Sequence, residues 1–404
     1  MFYSNSGEAI HKQCALMECA VSYKKDCKME KKPFRIFVTC PIGDKGIDLL
    51  RSRGYEVEVY PGPDAPPKSL IVEKVRSGID GLITTLRDKI DAEVFEAGRG
   101  KLKVVSQFAV GFDNISRSEA NAHGVPFTNT ADVLTEATAE FAFFIMAAVA
   151  RKLWPSERLV RENQWGSWHP FLPFLGDEVT GKTISVIGTG RIGLALIKKC
   201  IGFDMNILCY DSTFQNKEWI KNVQRLMDMR NEVGLSHERT TIRYVSLEEA
   251  LNGGDFVSIH VPLLRDTESL KPTYHLINEK TLRMMKPTAY LVNTSRGPVV
   301  DEAALYKALK ERWIAGAALD VFEKEPLPAD SPLRDPEIED RCRIFHHFAS
   351  GANITRLSTD PNKGMAGRCV QGLIDVLEGN YEGDVSKMPY VVNKELAEMV
   401  KTSK

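Results

Sequence analysis

From position 33 the chain alternates short β-branched runs with amphipathic helical patterns, and this alternation restricts the possible folds more than any other feature. Neighbouring parallel strands cannot be joined by a tight turn. Each needs a crossover, usually a helix, that returns over one face of the sheet. Runs at 34–39, 56–60, 81–85 and 102–108 read as four strands, with helical patterns such as 43–53 and 91–97 between them. They make a first α/β block of about 100 residues. A second series runs through 182–187, 206–210, 256–260, 289–293, 316–321 and 342–345, which predicts six strands in a doubly wound parallel sheet.

Between the two series, 132–152 predicts one long apolar helix with Thr130 and Asp132 as candidate caps, long enough to bridge two domains. The segment 212–243 reads as a charged helical insertion on the surface of the second block, with no chemistry assigned to it. A last helix at 363–377 and a strand-like run at 390–393 are expected to return to the first block.

The 404 residues are 43% hydrophobic and 26% charged, enough for about two or three domains. Basic and acidic side chains nearly balance, 53 against 54, so charge gives no reason to expect nucleic acid or an anionic membrane as partner. The longest apolar stretches fall short of the roughly 20 residues a bilayer requires. The eight cysteines include no C-x-x-C pair and no metal-ligand spacing, so buried reduced thiols are expected and no metal site. Residues 1–32 form a polar extension without the apolar core of a secretory signal. An alternative start near Met29, a processed leader or an arm outside the fold would each account for it.

The clearest motif is Gly188-Thr189-Gly190-Arg191-Ile192-Gly193, a G-x-G-x-x-G that leaves a strand and opens a helix. Gly188 allows the tight turn, Gly190 lets backbone approach a pyrophosphate, and Gly193 allows close packing of helix on strand. The helix N-terminus attracts the phosphate charge. A glycine-rich turn with no nucleotide is the alternative, and Asp211 at the end of the next strand argues against it. An acid there binds ribose hydroxyls and repels a 2′-phosphate. With Ser212 and Thr213 following rather than arginine, NAD(H) is favoured over NADP(H).

Three later strands end in reactive side chains, on the edge where a doubly wound sheet binds its ligands. Arg296 follows Asn293-Thr294-Ser295, and a guanidinium can both grip a carboxylate and polarise an adjacent carbonyl. Asp320 and Glu325 follow the next strand, with Asp320 able to face a cofactor and Glu325 able to reach an imidazole. His346 and His347 follow the last. A histidine beside a carboxylate keeps its proton more readily and can donate it to a carbonyl oxygen as hydride arrives. Read singly, each of these could be a surface or core residue without function; three sites on one sheet edge favour chemistry.

With these residues in place, the chain resembles the D-isomer-specific 2-hydroxyacid dehydrogenases from about Pro33 onward. The likeness is carried by Gln107-Phe108-Ala109-Val110-Gly111-Phe112-Asp113-Asn114-Ile115, by 129–144, by the glycine motif, and by 293–302, 316–326 and 347–350. It implies an α/β fold of two Rossmann-like domains, a doubly wound NAD domain inserted into a flavodoxin-like substrate domain. The expected divisions are an extension at 1–32, substrate domain at 33–131 and 354–404, and NAD-binding domain at 132–353. The catalytic residues then fall on Arg296, Glu325 and His347, and the nicotinamide-contacting acid on Asp320. Arg191, Ile192, Val261, Pro262, Thr267 and Thr294 join Gly188, Gly190, Gly193 and Asp211 as the cofactor set, and Val110 and Gly111 hold the substrate carboxylate. His346 departs from the family, which has proline there; Ala349 and Ser350 select His347 as the proton donor.

Within the family, the loop 165–176 is most similar to that of glyoxylate and hydroxypyruvate reductases, where it packs at a dimer interface near the active site. That makes Trp168 a candidate substrate-side residue, although an aromatic loop filling an inter-domain groove is an equal reading. The implied protein is a cytoplasmic homodimer acting on a small 2-keto or 2-hydroxy acid, with organelle import through residues 1–32 left open. Phosphite dehydrogenases would carry lysine at Val110 and formate dehydrogenases glutamine at Glu325. Phosphoglycerate dehydrogenases would carry arginines where Thr85 and Gln107 stand, with Arg87 nearby, so phosphoglycerate or lactate stays an alternative. An NAD-binding corepressor, which would need a peptide groove on the first domain, is the alternative of a different class.

Overall fold

The computed structural model describes residues 32–170, 174–213, 215–236, 238–265 and 272–402. Five strands, β1 (Arg35–Val38), β2 (Glu56–Val59), β3 (Gly81–Thr84), β4 (Val104–Gln107) and β5 (Phe127–Thr128), form one sheet in the order β2-β1-β3-β4-β5. A second sheet contains β6 (Thr183–Ile187), β7 (Asn206–Tyr210), β8 (Ile242–Tyr244), β9 (Phe256–Ile259), β10 (Tyr290–Asn293), β11 (Gly316–Leu319) and β12 (Cys342–Ile344). Its order is β12-β11-β10-β9-β6-β7-β8. All neighbours pair in parallel. The first order is that of flavodoxin-like sheets, and the second is the Rossmann order with one more strand. Helices cover both faces, so β3, β4, β9, β10 and β11 are buried at every position and read as continuous rather than alternating apolar runs.

The sheets are larger than the sequence predicts, by β5 and β8. β5 has two residues and β8 has three, with the charged Arg243 in its centre, so neither makes an apolar run. β8 also corrects the reading of 212–243 as an insertion. Its helix Lys217–Glu232 is the crossover from β7 to β8, and it buries Ile220, Val223 and Met227 in the same core as β6 and β7. The charged exposed face of that helix hid an ordinary structural element.

The long helix is Thr135–Ala150, and neither Thr130 nor Asp132 caps it: its N-cap is Leu134, without a side-chain bond. Glu136 in its first turn instead accepts from Lys198 and Lys199 at 3.2 and 2.6 Å. Those lysines end the helix Arg191–Ile201, where they also complement its dipole. The two helices pack together, Arg191–Ile201 over β6 and Thr135–Ala150 over β10 and β11, and share one core, with Ala142, Met146, Leu196 and Cys200 all buried.

The chain then returns to the first sheet. Helix Met365–Leu377 places Cys369, Val370, Leu373 and Ile374 in a core with Ile36, Val38 and Val104, and Val391 bridges Thr128 in antiparallel fashion. The seven-stranded unit is thus inserted into the five-stranded one, and the carboxyl ends of strands from both line one cleft. Cys200, Cys209, Cys342 and Cys369 are buried free thiols, and Cys40 is half-buried. Among the described residues no helix is long and apolar enough to cross a membrane.

Leu373 is fully buried and stands close against Gly81 of β3. Leu373→Ala is expected to lower unfolding stability by about 2–5 kcal/mol in urea denaturation. A change below about 0.5 kcal/mol would mean that the C-terminal helix is not part of the first core.

Candidate active site

The cleft between the sheets has a volume of ≈ 1310 Å³. At the end of β10, the buried Asn293 fixes the next turn: its Nδ2 donates to the Arg296 carbonyl at 2.9 Å, and its Oδ1 accepts from Ser295 N and Oγ, both at 3.0 Å. The turn needs glycine at 297, where a Cβ would lie 1.8 Å from the Phe322 carbonyl carbon. The Arg296 side chain therefore leaves in one direction. Its Nε donates to Asp113 Oδ1 at 2.9 Å and its Nη1 to the Ser295 carbonyl at 2.8 Å. On Gly111 a Cβ would come within 1.3 Å of Nη2, so the guanidinium lies on bare backbone. The N–H groups of Val110 and Gly111 meet no acceptor among the described residues.

Asp320, just past β11, is fully buried. Its Oδ1 accepts from Phe348 N at 2.6 Å and its Oδ2 from Ala349 N at 2.8 Å, while its carbonyl accepts from His347 N at 2.8 Å. These bonds hold His347 at φ 54°, in the left-handed region. The ring then turns its Nδ1 to Glu325 Oε2 at 2.8 Å, which leaves Nε2 for the cleft. Burial pushes the Asp320 carboxyl above its ordinary range, against the pull of the two N–H groups and His347. For Glu325 burial also acts upward, but His347, the Phe322 N–H at 3.0 Å and Arg296 outweigh it and hold the carboxyl below its ordinary value. Glu325 is therefore an anion through the neutral range. His346 is exposed and stacks on Phe348 with ring centroids 5.2 Å apart.

The opposite end suits a dinucleotide. Gly188 has φ +97°, and a Cβ on it would lie 2.8 Å from the His260 backbone; one on Gly193 would lie 2.1 Å from the Gly188 carbonyl oxygen. Gly190 faces open space and offers no side-chain cap to the helix Arg191–Ile201, so the helix end is left for a phosphate. Asp211 Oδ2 accepts from Thr189 N at 2.9 Å and Oγ1 at 3.2 Å, which fixes a carboxylate beside the glycine turn. Ile192, Val261, Pro262 and Thr294 line the cleft, and the Thr294 hydroxyl is buried with no partner among the described residues, an orphan that a ligand amide could satisfy. The Arg191 guanidinium pairs with Asp132 at 2.6 Å. Together these features fit NAD(H).

Thr267 lies outside the described residues. Trp168 is 73% exposed and does not line the cleft of its own chain. The sequence reading gave Asp113 no role of its own, and it overlooked His260, a half-buried histidine that bonds Ser258 Oγ at 2.8 Å and is pushed down to about 4 by burial of its ring. Asp113 had a usable signal, an acid two residues past Gly111 at a strand's carboxyl end. His260 had none.

Residues 143–349 match the family model for the NAD-binding domain of D-isomer-specific 2-hydroxyacid dehydrogenases. The glyoxylate reductase of Korarchaeum cryptofilum is 46% identical over 80% of this chain and 88% of its own length. A solved protein of Thermus thermophilus, TT0316, is 35% identical, with a TM-score of 0.73 over 89% of this chain and all of that one. An NADPH-dependent glyoxylate/hydroxypyruvate reductase of Sinorhizobium meliloti is 25% identical, with a TM-score of 0.67 over 90% of this chain and 98% of that one.

Gly111→Ala tests the contact between Arg296 and the glycine. The added methyl should displace the guanidinium and weaken binding of a small carboxylate such as oxamate by about tenfold or more, read by titration calorimetry with NADH present. Unchanged oxamate affinity would show that Arg296 does not depend on the space at 111.

Proposed function

The chain belongs to the D-isomer-specific 2-hydroxyacid dehydrogenases, NAD-dependent oxidoreductases of 2-keto and 2-hydroxy acids, and from that membership we propose that it reduces glyoxylate or hydroxypyruvate with NADH. One observation carries the reading: His347, tied to Glu325 at 2.8 Å, and Arg296, laid on Gly111, line the same cleft. The substrate half comprises 33–131 and 354–404, and the cofactor half 132–353. The Val110 and Gly111 amides and the Arg296 guanidinium bind the keto acid's carboxylate. Arg296 also draws electron density onto the carbonyl oxygen, where charge develops. A bound nicotinamide supplies the hydride. His347 Nε2 donates the proton to that oxygen, and Glu325 holds the ring in position.

Asp211 supports NADH over NADPH, because its fixed carboxylate would lie against a 2′-phosphate. The Sinorhizobium relative's use of NADPH makes this a point to measure. Exposed Phe144, Leu153, Trp165, Trp168 and Leu175 support a homodimer in which the aromatic loop serves the partner's cleft. Buried free thiols support a reducing compartment such as the cytoplasm.

The test is the initial rate of glyoxylate and hydroxypyruvate reduction with NADH and with NADPH, for the wild type and His347→Ala. The variant should lose a factor of about 100 or more in kcat, and NADH should be the better cofactor. Tight NADH binding without turnover of either acid would contradict the proposal and favour a binding role.

A further inference from the structure

Arg296 projects from the cofactor half, but a residue of the other half sets how it is presented. Asp113, in the loop after β4, accepts from Arg296 Nε at 2.9 Å. With the Ser295 carbonyl taking one N–H of Nη1 and Gly111 flanking Nη2, the guanidinium is held in place, and its remaining N–H groups are left for a ligand. The Asp113 loop is itself pinned. Asn114 Nδ2 donates to the carbonyls of Thr85 at 3.0 Å and Asp88 at 2.7 Å. Its Oδ1 accepts from Gln107 Nε2 at 2.7 Å. The fully buried Gln107 also donates to the Gly111 carbonyl at 3.2 Å and accepts from Thr84 Oγ1 at 2.6 Å. One polar network thus locates both Gly111 and Asp113 against β3 and β4.

We infer that Asp113 is a positioning residue that aims the Arg296 guanidinium at the substrate, and that it does so only when the two halves of the molecule meet. This rests on the reading of the cleft as a keto-acid site. A guanidinium has a second edge formed by its two Nη groups, suited to grip a carboxylate in a fork. Asp113 takes Nε through a single oxygen and leaves that second edge open, so it orients the arginine rather than occupying the substrate's place. Because the pair spans the cleft, presentation of the arginine is linked to closure.

The experiment compares wild type, Asp113→Ala and Asp113→Asn in steady-state glyoxylate reduction, with NADH and oxamate binding measured by fluorescence and calorimetry. Asp113→Ala should raise the KM for glyoxylate and weaken oxamate binding in the NADH complex by about tenfold or more. Its NADH affinity and the pH dependence of its kcat should stay as in the wild type. Asp113→Asn, which keeps an acceptor oxygen at the same place, should recover most of the loss. Three results would overturn the inference: a KM that is unchanged, a KM that falls because Asp113 competes with substrate, or an NADH affinity that drops in step because the whole cleft is disturbed. Wild-type protein that reduces no keto acid would remove the underlying reading and this inference with it. Wild-type turnover with an indifferent Asp113→Ala would remove this inference alone.

Discussion

Asp320 sits past the end of β11 with no exposure to solvent, and both of its carboxylate oxygens accept backbone N–H groups from the turn after β12. An unpaired carboxylate at that depth would carry a large desolvation cost, so the turn is held where its N–H groups meet that requirement. Through the Asp320 carbonyl the same turn holds His347 in a left-handed conformation that few non-glycine residues adopt. The direction of the imidazole follows, and with it the bond to Glu325. The proton-donating side of the cleft is thus a consequence of one buried acid and the register of two adjacent strands, β11 and β12.

The electrophilic side is built differently, from missing side chains. Gly297 lets the turn after β10 rest on the Phe322 carbonyl, and Gly111 lets Arg296 lie on the opposite loop. The cofactor end repeats the device at Gly188 and Gly193. Asp132 also joins the two halves, pairing with Arg191 of its own half at 2.6 Å and with Arg368 of the other at 3.2 Å. Contacts that need close backbone approach and ion pairs that cross the cleft occur together, as expected where two rigid units must close on a small ligand.

Much of this was legible in the sequence, for a physical reason. Strands buried on both faces give continuous apolar runs, and ligands of such sheets gather where those runs stop. Arg296, Glu325 and the two histidines could therefore be placed on one edge from the sequence alone. Short edge elements were not legible. β5 and β8 have too few residues to form a run, and the exposed charges of the helix Lys217–Glu232 concealed the three apolar residues that bind it to the core. Choosing His347 over His346 needed the family resemblance, since nothing in two adjacent histidines says which one a distant carboxylate will meet. Asp113 escaped because its partner lies 183 positions away.

The pair of His347 and Glu325 is the centre of this account, and steady-state keto-acid reduction by wild type and Glu325→Ala, with NADH binding measured alongside, tests it most directly. Glu325 is held below its ordinary range and is an anion throughout the working pH. Its carboxylate meets His347 Nδ1 at 2.8 Å and so turns Nε2 toward the cleft, where it can donate to the carbonyl oxygen. Loss of that contact should lower kcat by about 100-fold and leave NADH affinity as in the wild type. A kcat equal to that of the wild type would contradict the account, because it would show that the ring of His347 does not depend on Glu325 to donate its proton.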